Sequence, residues 1–303
     1  MGHSGRETLT VSSVQLDGNT RGRDAAVAAE YPVASVPTGA DGVLLGRIGS
    51  LEVRLAQSAA DVAAAQAIRF DVFVRELGAC TSRSFTEDRD ADDFDEICDH
   101  LLVVDTAAGE GGAIVGTYRL LPQERATRGF YSDSEFELTE LVARHPGRRF
   151  LELGRSCVLP DYRSKRTIEL LWQGIWSYCR RNSIDVMVGC ASFHGIEPVE
   201  HAQALSLLAH NFQTENEWHV RARCDRFSEM KLLRQDELEP KAALTAMPPL
   251  IKGYLRLGAK FGEGCVVDTE FETTDVLVVL PVENIPSRYI EYYTSGPEAG
   301  EIL

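Results

Sequence analysis

The apolar run Phe150 to Pro160 (FLELGRSCVLP) reads as a buried strand that breaks at Asp161. A helical pattern follows from Ser164 to Arg181, with an apolar stripe at Ile168, Leu171, Trp172 and Ile175, and then a second strand, Asp185 to Phe193. Strand, helix and strand in that order predict a βαβ unit whose helix is a packed crossover. Upstream, Leu51–Leu55 reads as a strand, and Ser58, with Asp61 three residues on, caps a helix that runs to about Leu77. His100–Asp105 and Ala113–Leu121 predict a hairpin across the turn AAGEGG, and a helix is expected around Phe136–His145. Beyond the βαβ unit come a helix near Val199–His210, a weakly patterned stretch from Arg221 to Ala246, and a short helix entered through prolines within 248–262. A last hairpin pairs Cys265–Phe271 with Asp275–Pro281. Residues 1–48 lack sustained periodicity and read as a loosely attached leader, 49–293 as one domain and 294–303 as a tail.

Charge narrows the partners. The formal net charge of −15 repels nucleic acid and anionic lipid at long range, so an anionic partner needs a local basic patch. The turn YRSKRT supplies one. It sets Arg163, Lys165 and Arg166 at the start of the crossover helix, where unpaired N–H groups and the helix dipole attract phosphate. The seven cysteines include no CxxC pair and read as reduced thiols of a cytoplasmic protein. No run approaches the ~18 apolar residues of a membrane span.

Other residues ask for partners. Arg69 falls in the apolar stripe of the first helix with Val62, Val72 and Phe73, so it either pairs with a buried carboxylate or shapes a site. Arg119 poses the same question. Glu152 and Arg155 are an odd number of residues apart and would face opposite ways in a regular strand, but a bulge at Gly154 could turn both toward one cleft. In the acidic loop 87–99, Asp88, Asp90, Asp92 and Asp99 imitate a calcium loop that lacks its sixth-position glycine, while Asp93 or Asp95 could pair with Arg69 or meet a cationic substrate. His100 and Asp105 should point to opposite faces of their strand, and Cys157 reads as core rather than nucleophile. No metal-ligand spacing stands out. Among the histidines, His194 is the one placed near a cleft.

In order, these elements resemble the GNAT acyltransferase fold, an α/β (α+β) architecture with a mixed, mostly antiparallel sheet and a central βαβ crossover. Within it the chain resembles the bacterial L-ornithine Nα-acyltransferases. The likeness is carried by RFDVFVRELGA (69–79), DEICDHLLVVD (95–105), VGTYRLLP (115–122), FYSDSEFEL (130–138), LELGRSCVLPDYR (151–163) and RTIELLWQGIW (166–176). A more distant likeness is to the acyl-homoserine lactone synthases. The resemblance implies transfer of a 3-hydroxyacyl group from acyl carrier protein to the α-amine of L-ornithine, giving lyso-ornithine lipid, with no cofactor beyond the carrier's phosphopantetheine. It also implies site residues: Arg69, Phe73, Asp93, Asp95, Arg119, Phe136, Glu152 and Arg155. The chemistry of the residues themselves adds roles: Glu152 as general base, backbone N–H groups near Val158 for the oxyanion, Arg163, Lys165, Arg166 and Thr167 toward the donor phosphate, and His194 toward the acceptor. A helix start without glycine suits one phosphodiester held partly by side chains, which favours the carrier protein over coenzyme A. Two other readings stay open: an acyl-homoserine lactone synthase or another amine acyltransferase using the same donor, and a non-catalytic carrier-binding module. Finally, Leu250, Ile251, Tyr254, Leu255 and Phe261, interspersed with Lys252, Arg256 and Lys260, could meet a membrane surface peripherally or pack on the sheet.

Overall fold

The computed structural model describes residues 44–79, 88–109 and 111–295. One sheet runs through it. Its first half is β1 (Leu44–Ile48), β2 (Leu51–Leu55), β3 (Asp99–Asp105), β4 (Ala113–Pro122) and β5 (Phe150–Val158), each antiparallel to the one before. β6 (Val186–His194) lies parallel to β5. Beyond it are β7 (Phe227–Ser228), β8 (Lys260–Phe261), β9 (Cys265–Asp268) and β10 (Thr273–Pro281). Across the sheet the order is β1-β2-β3-β4-β5-β6-β10-β9-β7, with β8 paired to β10 off that path. The helices are α1 (Ala59–Arg69), α2 (Leu138–Arg144), α3 (Lys165–Arg181), α4 (Ala202–Asn211), α5 (Pro240–Ala246), α6 (Pro249–Arg256) and α7 (Ser287–Ser295). The mixed, mostly antiparallel sheet with its βαβ crossover is as the sequence pattern implies.

Alternation along the strands decides which helix covers which face. Leu101 and Val103 of β3 join the main core with Leu45, Val53 and the α3 residues Leu171, Trp172 and Ile175. Their neighbours Leu102 and Val104 pack instead beside Ala65 of α1. A second cluster, with Phe150, Val188 and Leu277, lies under Leu138 and Leu141 of α2. Ser58 caps α1 as expected, accepting from the Asp61 N–H, and Ser164 caps α3 by accepting from the Thr167 N–H.

Several expectations change. β1 belongs to the sheet, so the leader boundary at 48 falls too late; residues 1–43 and 296–303 lie outside the described residues. The first helix does not continue regularly to Leu77 but turns π-helical over Phe70–Glu76, a form that recurs at functional sites. Ile168 is exposed rather than part of the buried stripe of α3. In the segment 248–262, Ile251, Tyr254, Leu255 and Phe261 are buried in the main core, while half-buried Leu250 lines two grooves. No helix among the described residues is long and apolar enough to cross a membrane.

The detail that positions the site is where β5 and β6 part. They pair at Phe150, Leu151 and Glu152 and no further, although both strands continue. At the parting point a Cβ on Gly189 (φ +153°) would stand 2.2 Å from the Leu153 carbonyl oxygen, a backbone atom with no side-chain freedom to yield. Gly189→Ala should therefore destabilise the protein by roughly 1–3 kcal/mol or more in urea unfolding. Gly253→Ala, whose Cβ would meet nothing nearer than Trp172 Nε1 at 3.9 Å, should be neutral or stabilising.

Candidate active site

Arg69 needs partners because it closes α1 on the buried side, and the loop following residue 88 brings them. Its guanidinium binds Asp95 through two hydrogen bonds of 2.9 and 2.7 Å and reaches Asp90 Oδ2 at 3.0 Å. Arg119 of β4 donates to Asp92 at 2.6 Å and to Asp95 at 3.2 Å. Arg155 of β5 closes the set, 3.5 Å from Asp90 and 3.6 Å from Asp92. Three arginines from three elements thus meet three aspartates of one loop, and the charges balance. Gln66 donates to Asp95, and buried His100 donates from Nε2 to the Asp95 carbonyl at 3.0 Å. The Arg69 and Arg119 partners hold the Asp95 carboxyl well below its usual range against the opposing effect of burial. The calcium-loop pattern is accounted for by arginines: Asp88 pairs with Arg75, and Asp99 with Arg125.

The bulge expected at Gly154 falls one residue on. Thr117 pairs with Cys157 and Arg119 with Gly154, so Arg155 and Ser156 together oppose Tyr118, and Arg155 adopts a φ of +50°. Its two aspartates and the Phe271 ring, 4.2 Å from its guanidinium, hold this strained residue in place. Gly154 has a different job. A Cβ there would strike the Tyr131 hydroxyl at 2.2 Å, so glycine admits the tyrosine ring over the strand.

Two grooves open where the strands part. One, of about 740 Å³, is polar and lined by Asp92, Tyr131, Glu135, Arg155, Asp268 and Asp275 among others. The other, of about 1080 Å³, runs between the start of α3 and the α6 and α7 segments, past Val158, Ile168, Trp172, Pro249 and Tyr289. Phe73, Leu77, Tyr118, Ser156 and Leu250 line both, so the grooves meet at the bulge. Tyr118 stands at that junction with its hydroxyl 3.0 Å from the Tyr254 hydroxyl.

The polar groove holds carboxyls in unusual states. Burial, reinforced by nearby Asp275, raises Glu135 to about 7; burial raises Asp275 to about 6, partly offset by the Ser192 and Thr273 hydroxyls. Glu135 also accepts from the Cys190 thiol and lies 3.6 Å from Arg226. Glu135, Cys190 and Asp275 place ligand-capable atoms within 4.8 Å of one another. Neither cysteine near the cleft is a nucleophile in waiting: burial pushes Cys157 up to about 12 and Cys190 well above its ordinary value.

Several predicted site residues sit elsewhere than expected. Glu152 is 1% exposed and lines neither groove. Its two oxygens accept the Tyr131 and Ser132 N–H groups at 2.8 and 3.0 Å, so it anchors the turn carrying Tyr131 and Glu135 rather than facing a substrate. Burial raises it to about 7 against these donors. Asp93 is turned outward, its side chain 86% exposed on Arg128. Phe136 is 0% exposed in the second core cluster, and exposed His194 lies at the end of β6 outside both linings. Asp95 reaches the site through the arginines alone. Phe73 and Arg155 do line the cleft.

On the donor side, Val158, Arg163, Lys165 and Thr167 line the apolar groove. Arg163 is held by a bidentate pair with Glu76 and Lys165 lies 3.5 Å from Glu169, whereas Arg166 has no ion pair among the described residues. Buried Thr167 donates its hydroxyl to the Tyr162 carbonyl. Sequence reasoning missed Tyr118, Tyr131, Glu135 and Asp275. FYSDSEFEL contained two of these, but nothing in its spacing showed that β6 and β10 would bring Cys190 and Asp275 beside them.

A family profile described as an acetyltransferase (GNAT) domain matches residues 68–173. With it, parallel strands that part around a two-sided cleft make this an acyltransferase of the GNAT class. The L-ornithine N(alpha)-acyltransferase of Brucella abortus (strain 2308) is 56% identical over 268 residues, covering 87% of this chain and 95% of that protein. Its counterpart from Rhizobium meliloti (strain 1021) is 57% identical over 263 residues, 85% and 88% of the two chains. The chain belongs to the L-ornithine Nα-acyltransferase family. A solved N-acyl amino acid synthase from uncultured soil microbes, at 14% identity, overlaps 77% of this chain and 91% of its own with a TM-score of 0.45, which adds nothing to the assignment.

Removing one member of the arginine–aspartate set leaves charge buried without its counter-ion. Asp95→Ala should cost about 3–5 kcal/mol in urea unfolding, while Asp93→Ala stays within about 0.5 kcal/mol of the parent. The raised carboxyls act oppositely on pH. Asp275 is protonated in the fold at a pH where the unfolded chain, titrating near 4, is already ionised. Its contribution is thus fully present below about pH 4 and lost as pH rises through about 6. Asp275→Asn removes that loss, so the melting temperature of the variant relative to the parent should climb between those two values. A constant difference would contradict the assignment.

Proposed function

We propose that the chain transfers a 3-hydroxyacyl group from acyl carrier protein to the α-amine of L-ornithine, giving lyso-ornithine lipid and free carrier thiol. The observation that carries this reading is the meeting of two chemically distinct grooves at Tyr118 and Ser156. The apolar groove suits an acyl chain and pantetheine, and the acid-lined one suits a diamino acid. The substrate named for the relatives agrees with it.

In this reading the carrier docks at the start of α3. Arg163, Lys165, Lys252, Arg256 and Arg288 rim the apolar groove, and Arg166 lies beside it, which supports an acidic partner delivering one phosphodiester. Arg155, in the acceptor groove, receives the substrate α-carboxylate. The α-ammonium must lose a proton before its nitrogen attacks the thioester carbonyl. Glu135, facing the groove and raised to about 7, takes it directly or through a water. The C–N bond forms and the C–S bond breaks; the Tyr118 hydroxyl at the junction protonates the departing thiolate, and the second proton lost from the nitrogen as the amide forms restores the Tyr118 phenol. No enzyme acyl intermediate is needed, because a thioester is already activated. Six described cysteines are free thiols, in keeping with work in the cytoplasm. Exposed Leu77, Ile168 and Tyr292 beside the rim cations offer a one-chain product a route to an anionic membrane surface.

Thiol release from 3-hydroxyacyl carrier protein tests the reading. It should require ornithine and not occur with S-adenosylmethionine, and Glu135→Gln should lower turnover by roughly 10²–10⁴ with substrate binding retained. Release with S-adenosylmethionine would favour lactone synthesis, and carrier binding without release would favour a binding module.

A further inference from the structure

In the acceptor groove one buried carboxylate oxygen, Asp275 Oδ1, has no hydrogen-bond partner among the described residues, although the Ser192 and Thr273 hydroxyls favour the ionised form of the group. Asp92 is neutralised by Arg119 and Arg155, Glu135 has Arg226 3.6 Å away, and Asp268 accepts the Glu270 and Phe271 N–H groups at 2.8 and 3.0 Å. Asp275 has no ion pair among the described residues, is only 7% exposed, and its Oδ1 has no hydrogen-bond partner. Such an atom is costly to bury, and it lines the groove rather than the core. It is fixed there by register: Asp275 lies directly opposite Ser192 in the β6–β10 ladder, with Leu277 opposite Cys190, so these side chains share one face.

We infer that Asp275 is the seat of the acceptor's side-chain ammonium, and so a residue that determines which amino acid is acylated. The inference rests on the acyl transfer to ornithine proposed above and adds the group that recognises the second amine. Asp275, like Glu135, lines the acceptor groove and not the donor groove, so what it binds comes from the amine substrate and not from the donor. The two amines of ornithine are a short alkyl chain apart, and the carboxylates of Glu135 and Asp275 lie within 4.8 Å. Neighbouring carboxylates can therefore serve the two amines separately. A cation arriving at Asp275 supplies the missing partner and favours its ionised form, which burial otherwise opposes. A neutral side chain of the same length would instead leave a buried carboxylate unpaired, the situation in which sites discriminate most strongly.

The test compares ornithine with norvaline, which has the same carbon chain and no side-chain amine, using 3-hydroxyacyl carrier protein as donor. The parent should prefer ornithine in kcat/KM by at least about 10²-fold. Asp275→Asn should raise the KM for ornithine and shrink that preference by about tenfold or more, with the KM for carrier protein unchanged. A parent that uses norvaline as well as ornithine overturns the inference without any variant, and so does a folded Asp275→Asn enzyme with unaltered preference. Failure of the parent to acylate either amino acid would instead overturn the underlying function.

Discussion

Three arginines, Arg69 and Arg119 buried and Arg155 half-buried, set against three aspartates of one loop fix the geometry on which everything else depends. Each arginine comes from a different element: Arg69 from the end of α1, Arg119 from β4 and Arg155 from the bulge in β5. Desolvating six charges is tolerable only when all are paired, so the set forms as a unit or not at all. Its formation pins the helix to the sheet, orders the loop and holds Arg155 at a positive φ that a strand would not otherwise choose. The bulge then interrupts β5 at the place where β6 turns away, and the cleft follows from that coincidence.

The cleft separates two kinds of chemistry. On one side, burial without enough cations leaves carboxyls protonated more readily than in water, as at Glu135 and Asp275. On the other, apolar side chains line a groove together with Arg163, Lys165, Lys252, Arg256 and Arg288. Glu152 supports this division from below. It spends its oxygens on two backbone N–H groups and so fixes the turn that presents Tyr131 and Glu135. The carboxylate most visible in the sequence is thus a positioning group, and the carboxyl facing the groove, Glu135, lies in FYSDSEFEL, where nothing in the spacing singled it out.

Sequence patterns revealed the fold where a single period ruled a segment. The βαβ unit, both hairpins and the capped first helix were legible because each depends on local alternation or capping chemistry. β1, α5 and α7 were not, being short and stabilised by what they pack against rather than by their own pattern. The pairing of Arg69 with Asp95 was legible as one of two alternatives, since a buried arginine demands a partner. Asp93 and Phe136 could not be placed, because which residues of a loop turn inward is set by tertiary contacts. Asp275 was invisible for the same reason: its importance comes from lacking a cationic partner among the described residues, which only the assembled groove discloses.

The central claim is direct transfer between substrates held in two grooves that meet, with the thiols of buried Cys157 and half-buried Cys190 taking no part. Intact-mass spectrometry of the protein, quenched during turnover with acyl carrier protein and ornithine, tests it most directly. The account predicts that the polypeptide mass stays that of the unmodified chain at every time point while acylated ornithine accumulates. An acyl adduct that forms and decays at the rate of turnover, on either cysteine above all, would contradict it.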